Sequence, residues 1–274
     1  MRRVITVVLI AALIVPCDAF AKRSKKRRAK RNIPTATAII VWDVQAKRAL
    51  YAKNALHRVY PASTTKVMTA LLALEKLSLD KQVKVSRAAC NVPETKLGVV
   101  PGETYRVRDL LYAILLKSAN DGANVLAEAV SGSQQNFVAL MNSRAKQLGA
   151  MHTRFSNAHG LPSNGTQYTT AKDMAIIFQQ ALKNPEFRRI ISYKYHIIYS
   201  SQGRRFFLKS HNRSLFLNWK KRVEGKTGYT RQAQTCFVGR VQDKGRILIV
   251  AVFGSRTRWE DVKLVLERYG KVDL

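Results

Sequence analysis

Between Ser63 and Leu77 the chain places Val67, Met68, Ala70, Leu71, Leu72 and Leu74 so that a helix there is apolar on nearly every side. Such a helix has no face to offer water, so the rest of the chain has to wrap it. With 274 residues there is enough chain for one good-sized domain, or two closely packed lobes, with a real core. Upstream, Thr35 to Asp43 alternates and is rich in β-branched residues, and a turn near Gln45 leads to Arg48-Ala-Leu-Tyr-Ala52, predicting a β-hairpin. Gln82 to Ser86 reads as a short strand. Helical patterns follow at Val107–Lys117, Asp121–Val130, Gln134–Leu148 and Thr170–Leu182, the last opened by the capping sequence Thr170-Ala-Lys-Asp173. Beyond Pro185 the pattern turns to strands at 195–200, 205–209, 223–227, 235–241 and 246–253, and Trp259–Tyr269 closes the chain as a helix. Strands at both ends with helices between them predict an α/β chain of the α+β type: one sheet built from distant segments, with a helical lobe inserted.

The first 34 residues read differently. Arg2 and Arg3, the apolar run Val4–Val15 and the small-x-small site Ala19-Phe20-Ala21 predict a secretory leader over 1–21. The run is short for a transmembrane helix, although retention as an N-terminal anchor is the alternative. Cys17 follows Pro16 and precedes the better Ala-x-Ala site, which argues against a lipoprotein. From Lys22 to Arg31 eight of ten residues are Lys or Arg, so 22–34 is expected to be a solvated polybasic tail, leaving 35–274 as the folded domain. The net charge of +31 invites a nucleic-acid reading. Export redirects it toward lipid headgroups, wall polymers or surface polysaccharide, and no specific nucleic acid is expected. A tail with no specific partner is the plain alternative. Cys90 and Cys236 remain after the leader, too few for a disulfide framework, and Cys236 sits in an apolar segment where a buried structural thiol is expected. The five histidines show no ligand spacing, so neither a metal nor a cofactor is predicted.

Three short motifs fall in order: Ser63-Thr-Thr-Lys66, Ser118-Ala-Asn120 and Lys226-Thr-Gly228. Ser63 follows Pro61-Ala62 at the start of the buried helix, where free N–H groups and the positive helix end favour an anionic oxygen. Lys66 lies one turn on along the same face, and a lysine kept from water near another cation becomes a base for a serine hydroxyl. The other Ser-x-x-Lys copies, at Ser78 and Ser143, fall in a turn and on a wet helix face. Ser118 and Asn120 stand at a helix-to-helix corner, suited to relay a proton and either to bind a substrate carbonyl or to hold Lys66; plain capping is the alternative. The rival Ser210-His-Asn212 is assigned to a loop. Around Lys226 the chain reads as a strand with Gly228 where a ligand backbone can approach closely. Lys226 supplies charge for a carboxylate, Thr227 a hydroxyl, and the backbone near Tyr229 a share of an oxyanion hole; an ordinary edge strand is the alternative.

Together the three motifs resemble those of the penicillin-recognising serine acyl-transferases. The stretches Pro61–Ala70, Leu115–Asn124, Phe155–Leu161, Thr169–Met174 and Gly225–Thr230 are similar to the D-alanyl-D-alanine carboxypeptidase family, the low-molecular-mass penicillin-binding proteins. That resemblance spans roughly 35–270 and implies a β-lactamase/transpeptidase-like fold, an antiparallel sheet flanked by helices. It also implies that Ser63 attacks the bond between two terminal D-alanines of a peptidoglycan stem peptide, with Lys66 as base and Ser118 as proton relay. Asn120 would orient substrate, and Lys226 and Thr227 would bind the terminal carboxylate. The N–H groups of Ser63 and Tyr229 would form the oxyanion hole, and β-lactams would acylate the same serine. Arg256 and Arg258 are further candidates for the carboxylate. Ending soon after Tyr269, the chain resembles the family's shorter members, some of them D,D-endopeptidases, and a C-terminal membrane anchor is not expected. No Glu-x-x-Leu-Asn segment supports a class A β-lactamase. A non-catalytic basic wall-binding protein on the same scaffold is the remaining alternative.

Overall fold

Strand alternation decides the layering. In the computed structural model, which describes residues 33–93, 95–163 and 166–274, strand Ala38–Asp43 (β1) sends Ala38 and Ile40 into one apolar cluster and Ile39 and Val41 into another. Strand Arg246–Ser255 (β9) does the same, with Ile249, Ala251 and Phe253 on one side and Leu248, Val250 and Val252 on the other. A period of two with apolar residues at both phases means a sheet covered on both faces. With Arg48–Lys53 (β2), Val223–Thr230 (β7) and Gln234–Asp243 (β8), these strands form one antiparallel sheet in the order β2-β1-β9-β8-β7. Neighbours in space come from opposite ends of the chain, as expected for a sheet assembled from distant segments.

Helix Arg258–Arg268 (α8) covers one face with Val262, Val265 and Leu266. Burying each such side chain stabilises the fold by roughly 1.5–3 kcal/mol. The helical lobe covers the other face. Its centre is Lys66–Lys76 (α1), in which every residue from Lys66 to Ala73 is buried, so the helix without a wet face is indeed wrapped. Around it lie Arg87–Cys90 (α2), Val107–Tyr112 (α3), Asn120–Ser131 (α4), Gln134–Gln147 (α5), Ala171–Ala181 (α6) and Pro185–Ser192 (α7). Gln82–Lys84 (β3) pairs with Thr104–Arg106 (β4) at the edge of the lobe.

Several local expectations change. The helix at Ser63 opens as a 3-10 turn, Ala62–Thr65, before α1 begins. The stretch Val107–Lys117 is α-helical only to Tyr112 and continues as a π segment, Ala113–Lys117. Helix α7 is opened by Asn184, whose Oδ1 accepts from Glu186 N and Phe187 N, with Pro185 at the first position, a start signal at which the sequence reading placed no helix. Strands Tyr195–Tyr199 (β5) and Arg205–Lys209 (β6) pair with each other rather than joining the main sheet. Their inner residues Ile198 and Leu208 belong to the lobe's apolar cluster, and His196 stacks on Tyr112 at 3.6 Å; strand propensity does not name a partner. Thr170 caps α6 as expected, its Oγ1 accepting from Asp173 N. The leader and the basic run Lys22–Arg31 lie outside the described residues. Among the described residues no helix is long and apolar enough to cross a membrane.

The two ends of the described chain meet at Asp261. Its carboxylate accepts from Thr35 N, Thr35 Oγ1, Ala36 N and Ser255 Oγ at 2.6–2.9 Å, so one buried anion ties the entry to β1 to the start of α8. Removing it leaves two backbone donors short of a charged acceptor, so Asp261→Ala should lower stability by about 2–4 kcal/mol. Urea denaturation checks this: the midpoint should fall while the slope stays constant.

Candidate active site

The 3-10 turn Ala62–Thr65 lies against β7 on one side and the loop 155–161 on another, and each approach is made by a glycine. A Cβ on Gly228 would stand 3.1 Å from Ser63 N and 3.1 Å from Ala62 Cβ. A Cβ on Gly160, whose φ is +87°, would stand 1.9 Å from the Ala62 carbonyl oxygen. A side chain at Gly160 would displace backbone, and one at Gly228 would press on the Ser63 amide at a tighter spacing than ordinary contact. Ala62 itself has φ +45°, unusual for a residue with a Cβ, and it sits immediately before Ser63.

Lys66 Nζ is fully buried and meets three oxygens: Asn120 Oδ1 at 2.7 Å, the His159 carbonyl at 2.8 Å and Ser63 Oγ at 3.1 Å. The His159 carbonyl is delivered by the loop 155–161. There Asn157 Oδ1 accepts from His159 N and Gly160 N, and Thr69 Oγ1 on α1 donates to the Ala158 carbonyl. Burial holds the Lys66 ammonium well below the ordinary lysine range, and the charge on Lys226 pushes it further down. Two of its three neighbours are oxygens without a proton to give, and the third is a hydroxyl. Three acceptor oxygens match the three N–H groups of an ammonium; once burial has removed one proton, two N–H groups stay on Asn120 and His159 and the lone pair is left for the Ser63 hydroxyl. Burial, followed by the charge of Lys66, likewise pulls the His159 imidazole down to about 3, leaving it a neutral ring whose Nδ1 accepts from Leu161 N.

Ser118 owes its position to the π segment. The wide turn ends at Ser118 with φ +65° and ψ +31°, and the chain restarts as α4 two residues later. Ser118 Oγ accepts from Lys226 Nζ at 3.0 Å, and Lys226 also donates to the Thr227 carbonyl at 2.9 Å. Lys226 is fully buried; burial first and Arg258 second lower it to about 7. Asn120 N donates to the Thr95 carbonyl, while the neighbouring Asp121 accepts from Leu97, Gly98 and Val99, fixing the loop that forms the opposite rim.

The cleft above this arrangement has a volume of about 600 Å³. Ser63, Ser118, Thr227, Gly228 and Tyr229 line it directly. Asn120 and Lys226 are buried behind its wall, where they hold Lys66 and Ser118. Of the two arginine candidates, Arg258 lines the cleft and Arg256 does not. Arg258 Nη1 donates to the Gly228 and Cys236 carbonyls, and its Nε has no acceptor among the described residues. Ser210 and His211 also line the cleft. Asn212, from the rival Ser-x-Asn copy, instead caps the 3-10 turn Arg213–Phe216 and donates to the Val223 carbonyl. The His159 carbonyl was invisible to side-chain motifs, whereas Arg258 was already a candidate beside Arg256 and is singled out by its contact with the Gly228 carbonyl on β7. Cys90 and Cys236 are free thiols; burial raises Cys236 to about 12, which suits a structural residue. Among the described residues no group of His, Cys, Asp and Glu is arranged to hold a metal.

A family model described as D-alanyl-D-alanine carboxypeptidase matches residues 24–257. The D-alanyl-D-alanine carboxypeptidase DacF of Bacillus subtilis is 32% identical over 265 residues, covering 94% of this chain and 67% of its own. The corresponding protein DacB2 of Mycobacterium tuberculosis is 34% identical over 235 residues, covering 83% of this chain and 80% of its own. Among solved structures, a D-alanyl-D-alanine carboxypeptidase from Mycobacterium tuberculosis superposes with a TM-score of 0.81 at 33% identity, over 87% of this chain and 92% of that one. A mutant of the Streptomyces K15 DD-transpeptidase superposes at 0.79 and 26% identity, over 88% of this chain and 99% of that one.

Since the Lys226 charge depresses Lys66, Lys226→Met should let the Lys66 amine titrate at higher pH than it does in the wild type. The nitrogen shift of ¹⁵N-labelled Lys66 followed against pH reads this directly. An identical midpoint in both proteins would show that the two amines do not sense each other.

Proposed function

The chain belongs to the D-alanyl-D-alanine carboxypeptidase family, and we propose that the cleft residues carry out that family's reaction by serine acylation. It is a serine-type D-alanyl-D-alanine carboxypeptidase, acting on peptidoglycan stem peptides and open to β-lactams at the same serine. The observation that carries the mechanism is the oxygen set around Lys66, which leaves its lone pair facing Ser63 Oγ at 3.1 Å.

Ser63 Oγ attacks the carbonyl carbon between the two terminal D-alanines while Lys66 takes the hydroxyl proton. The resulting oxyanion lies between the strand β7 and the 3-10 turn, where the N–H groups of Ser63 and Tyr229 stabilise it. Collapse breaks the C–N bond, and the proton that Lys66 took is passed to the leaving amine through Ser118 Oγ, itself hydrogen-bonded to Lys226, which frees Lys66. The departing D-alanine carboxylate is held by Thr227 Oγ1 and Arg258, with Lys226 adding positive field from behind the wall. Water then hydrolyses the ester, with Lys66 again as base. Asn120 keeps Lys66 aimed, so its contribution is positioning.

Location rests on sequence. The leader pattern of 1–21 supports export to the cell envelope, and the run Lys22–Arg31 supports an electrostatic tether to anionic wall polymers or lipid headgroups.

Incubating the mature protein with a pentapeptide muropeptide should remove one alanine by mass, and Ser63→Ala should abolish both this and labelling by a fluorescent penicillin. Cleavage of a cross-linked dimer with the pentapeptide intact would assign endopeptidase activity instead, and no reaction from folded protein would sink the enzyme reading. The second-order rate of penicillin acylation should follow a bell in pH. It rises as Lys66 loses its proton, at a pH well below the ordinary lysine value, and falls as Lys226 loses its own near about 7. A rate independent of pH across both limbs would contradict these assignments. Deleting residues 22–31 should lower retention on envelope fractions at low salt, with the difference vanishing by about 0.5 M as charges are screened.

A further inference from the structure

The β5–β6 hairpin has two unlike faces. Inward, Ile198 and Leu208 are buried in the lobe. Outward, Tyr195, Ile197 and Tyr199 on β5 stand beside Phe207, Lys209 and Arg205 on β6, all of them exposed. Phe207 is 57% exposed and Tyr199 55% exposed, so this is a true surface for four large apolar or aromatic residues on one small sheet. An exposed patch of that kind marks a contact surface rather than incidental exposure.

The face is held rigid. Buried Glu103 accepts from Tyr105 Oη at 2.7 Å, Arg204 Nη1 at 3.0 Å and Ser200 Oγ at 3.1 Å, which pins the tip of the hairpin to the edge of the lobe. Tyr195 and Phe207 stack across the strands with ring centroids 5.4 Å apart and planes inclined by 22°, presenting a flat aromatic shelf. The shelf is also continuous with the cleft, because Phe207 and Lys209 line both. A polymer that carries a peptide into the cleft therefore has this face as a continuous path out of it.

We propose that the outer face of the β5–β6 hairpin binds the glycan strand of polymeric peptidoglycan, a chain of N-acetylated amino sugars, and so delivers its stem peptides to Ser63; this rests on the carboxypeptidase reading above. Aromatic rings pack against the apolar C–H faces of sugar rings, and tyrosine hydroxyls meet sugar hydroxyls and acetamido groups. Lys209 and Arg205 complement the carboxylates that hang from such a strand. A soluble peptide too short to reach beyond the cleft never touches Ile197 or Tyr199, which do not line it.

The test uses the full mature chain at about 0.3 M salt, where the charge of Lys22–Arg31 is largely screened. Wild type and Ile197→Ser/Tyr199→Ser are compared for co-sedimentation with insoluble peptidoglycan and with the same material stripped of peptides by an amidase. Turnover of a short D-Ala-D-Ala peptide and penicillin labelling are read in parallel. Binding to stripped glycan should weaken by roughly 10-fold in the double variant, about the loss of one good contact residue, with soluble turnover unchanged. Equal binding by both proteins overturns the proposal. So does a loss seen only on phosphatidylglycerol-containing vesicles, which would make the face a lipid contact. If the double variant also loses soluble turnover, the single Tyr199→Ser variant decides by the same comparison. A wild type inactive on soluble peptide and unlabelled by penicillin, but held on glycan through Tyr199, would overturn the carboxypeptidase reading and leave the surface standing.

Discussion

Two lysine amines lie out of water in the heart of this protein, and neither touches a carboxylate. Burying a charge without a partner is costly, and the cheapest relief is to give up the proton. The two sites differ in how readily they do so. Lys66 is held down first by burial and then by the like charge of Lys226, and its three oxygen neighbours leave its lone pair facing Ser63 once the proton is gone. Lys226 is lowered by burial first and by Arg258 second, to about 7. A base and a cation are thereby made from the same side chain, by environment alone.

That pairing explains the architecture around it. Lys66 rides on a helix with no wet face, Lys226 on the edge strand of a sheet, and Asn120 on a helix that restarts after a π segment. Three elements from distant parts of the chain converge because each is anchored by apolar packing that has nothing to do with chemistry. Gly160 then permits a backbone approach that a side chain would block, and Gly228 keeps β7 close to Ser63 without crowding it. Position comes from the cores, and closeness comes from the glycines.

What could be read from the sequence follows the same division. The Ser63–Lys66 relation is local, three residues along one turn, and was legible with its function. The alternating strands and the buried helix were legible because periodicity is local too. The sheet order, the separate β5–β6 pair and the α7 start were not, since partner choice depends on which apolar faces meet. The side chain of Lys226 read as a substrate contact but lies behind the cleft wall, and Asn120, open between substrate and Lys66 in the sequence, lies on Lys66; only packing distinguishes those places. The His159 carbonyl is the extreme case, because a backbone oxygen leaves no trace in residue identity.

The site also opposes the stability of the fold that holds it. Ala62 at φ +45°, Thr95 at +63° and Ser118 at +65° all lie at or beside the cleft, in a region that costs a residue with a Cβ about 1–3 kcal/mol. Two uncompensated amines add to that cost. Both burdens fall where Ser63 must be aimed, and neither would persist if the surroundings could relax. The apolar clusters on either side of the sheet and the clasp at Asp261 supply the rigidity that prevents it. The residues that strain the backbone and those that stabilise the molecule are therefore different sets, separated in space, and the strain survives because the cores surround it.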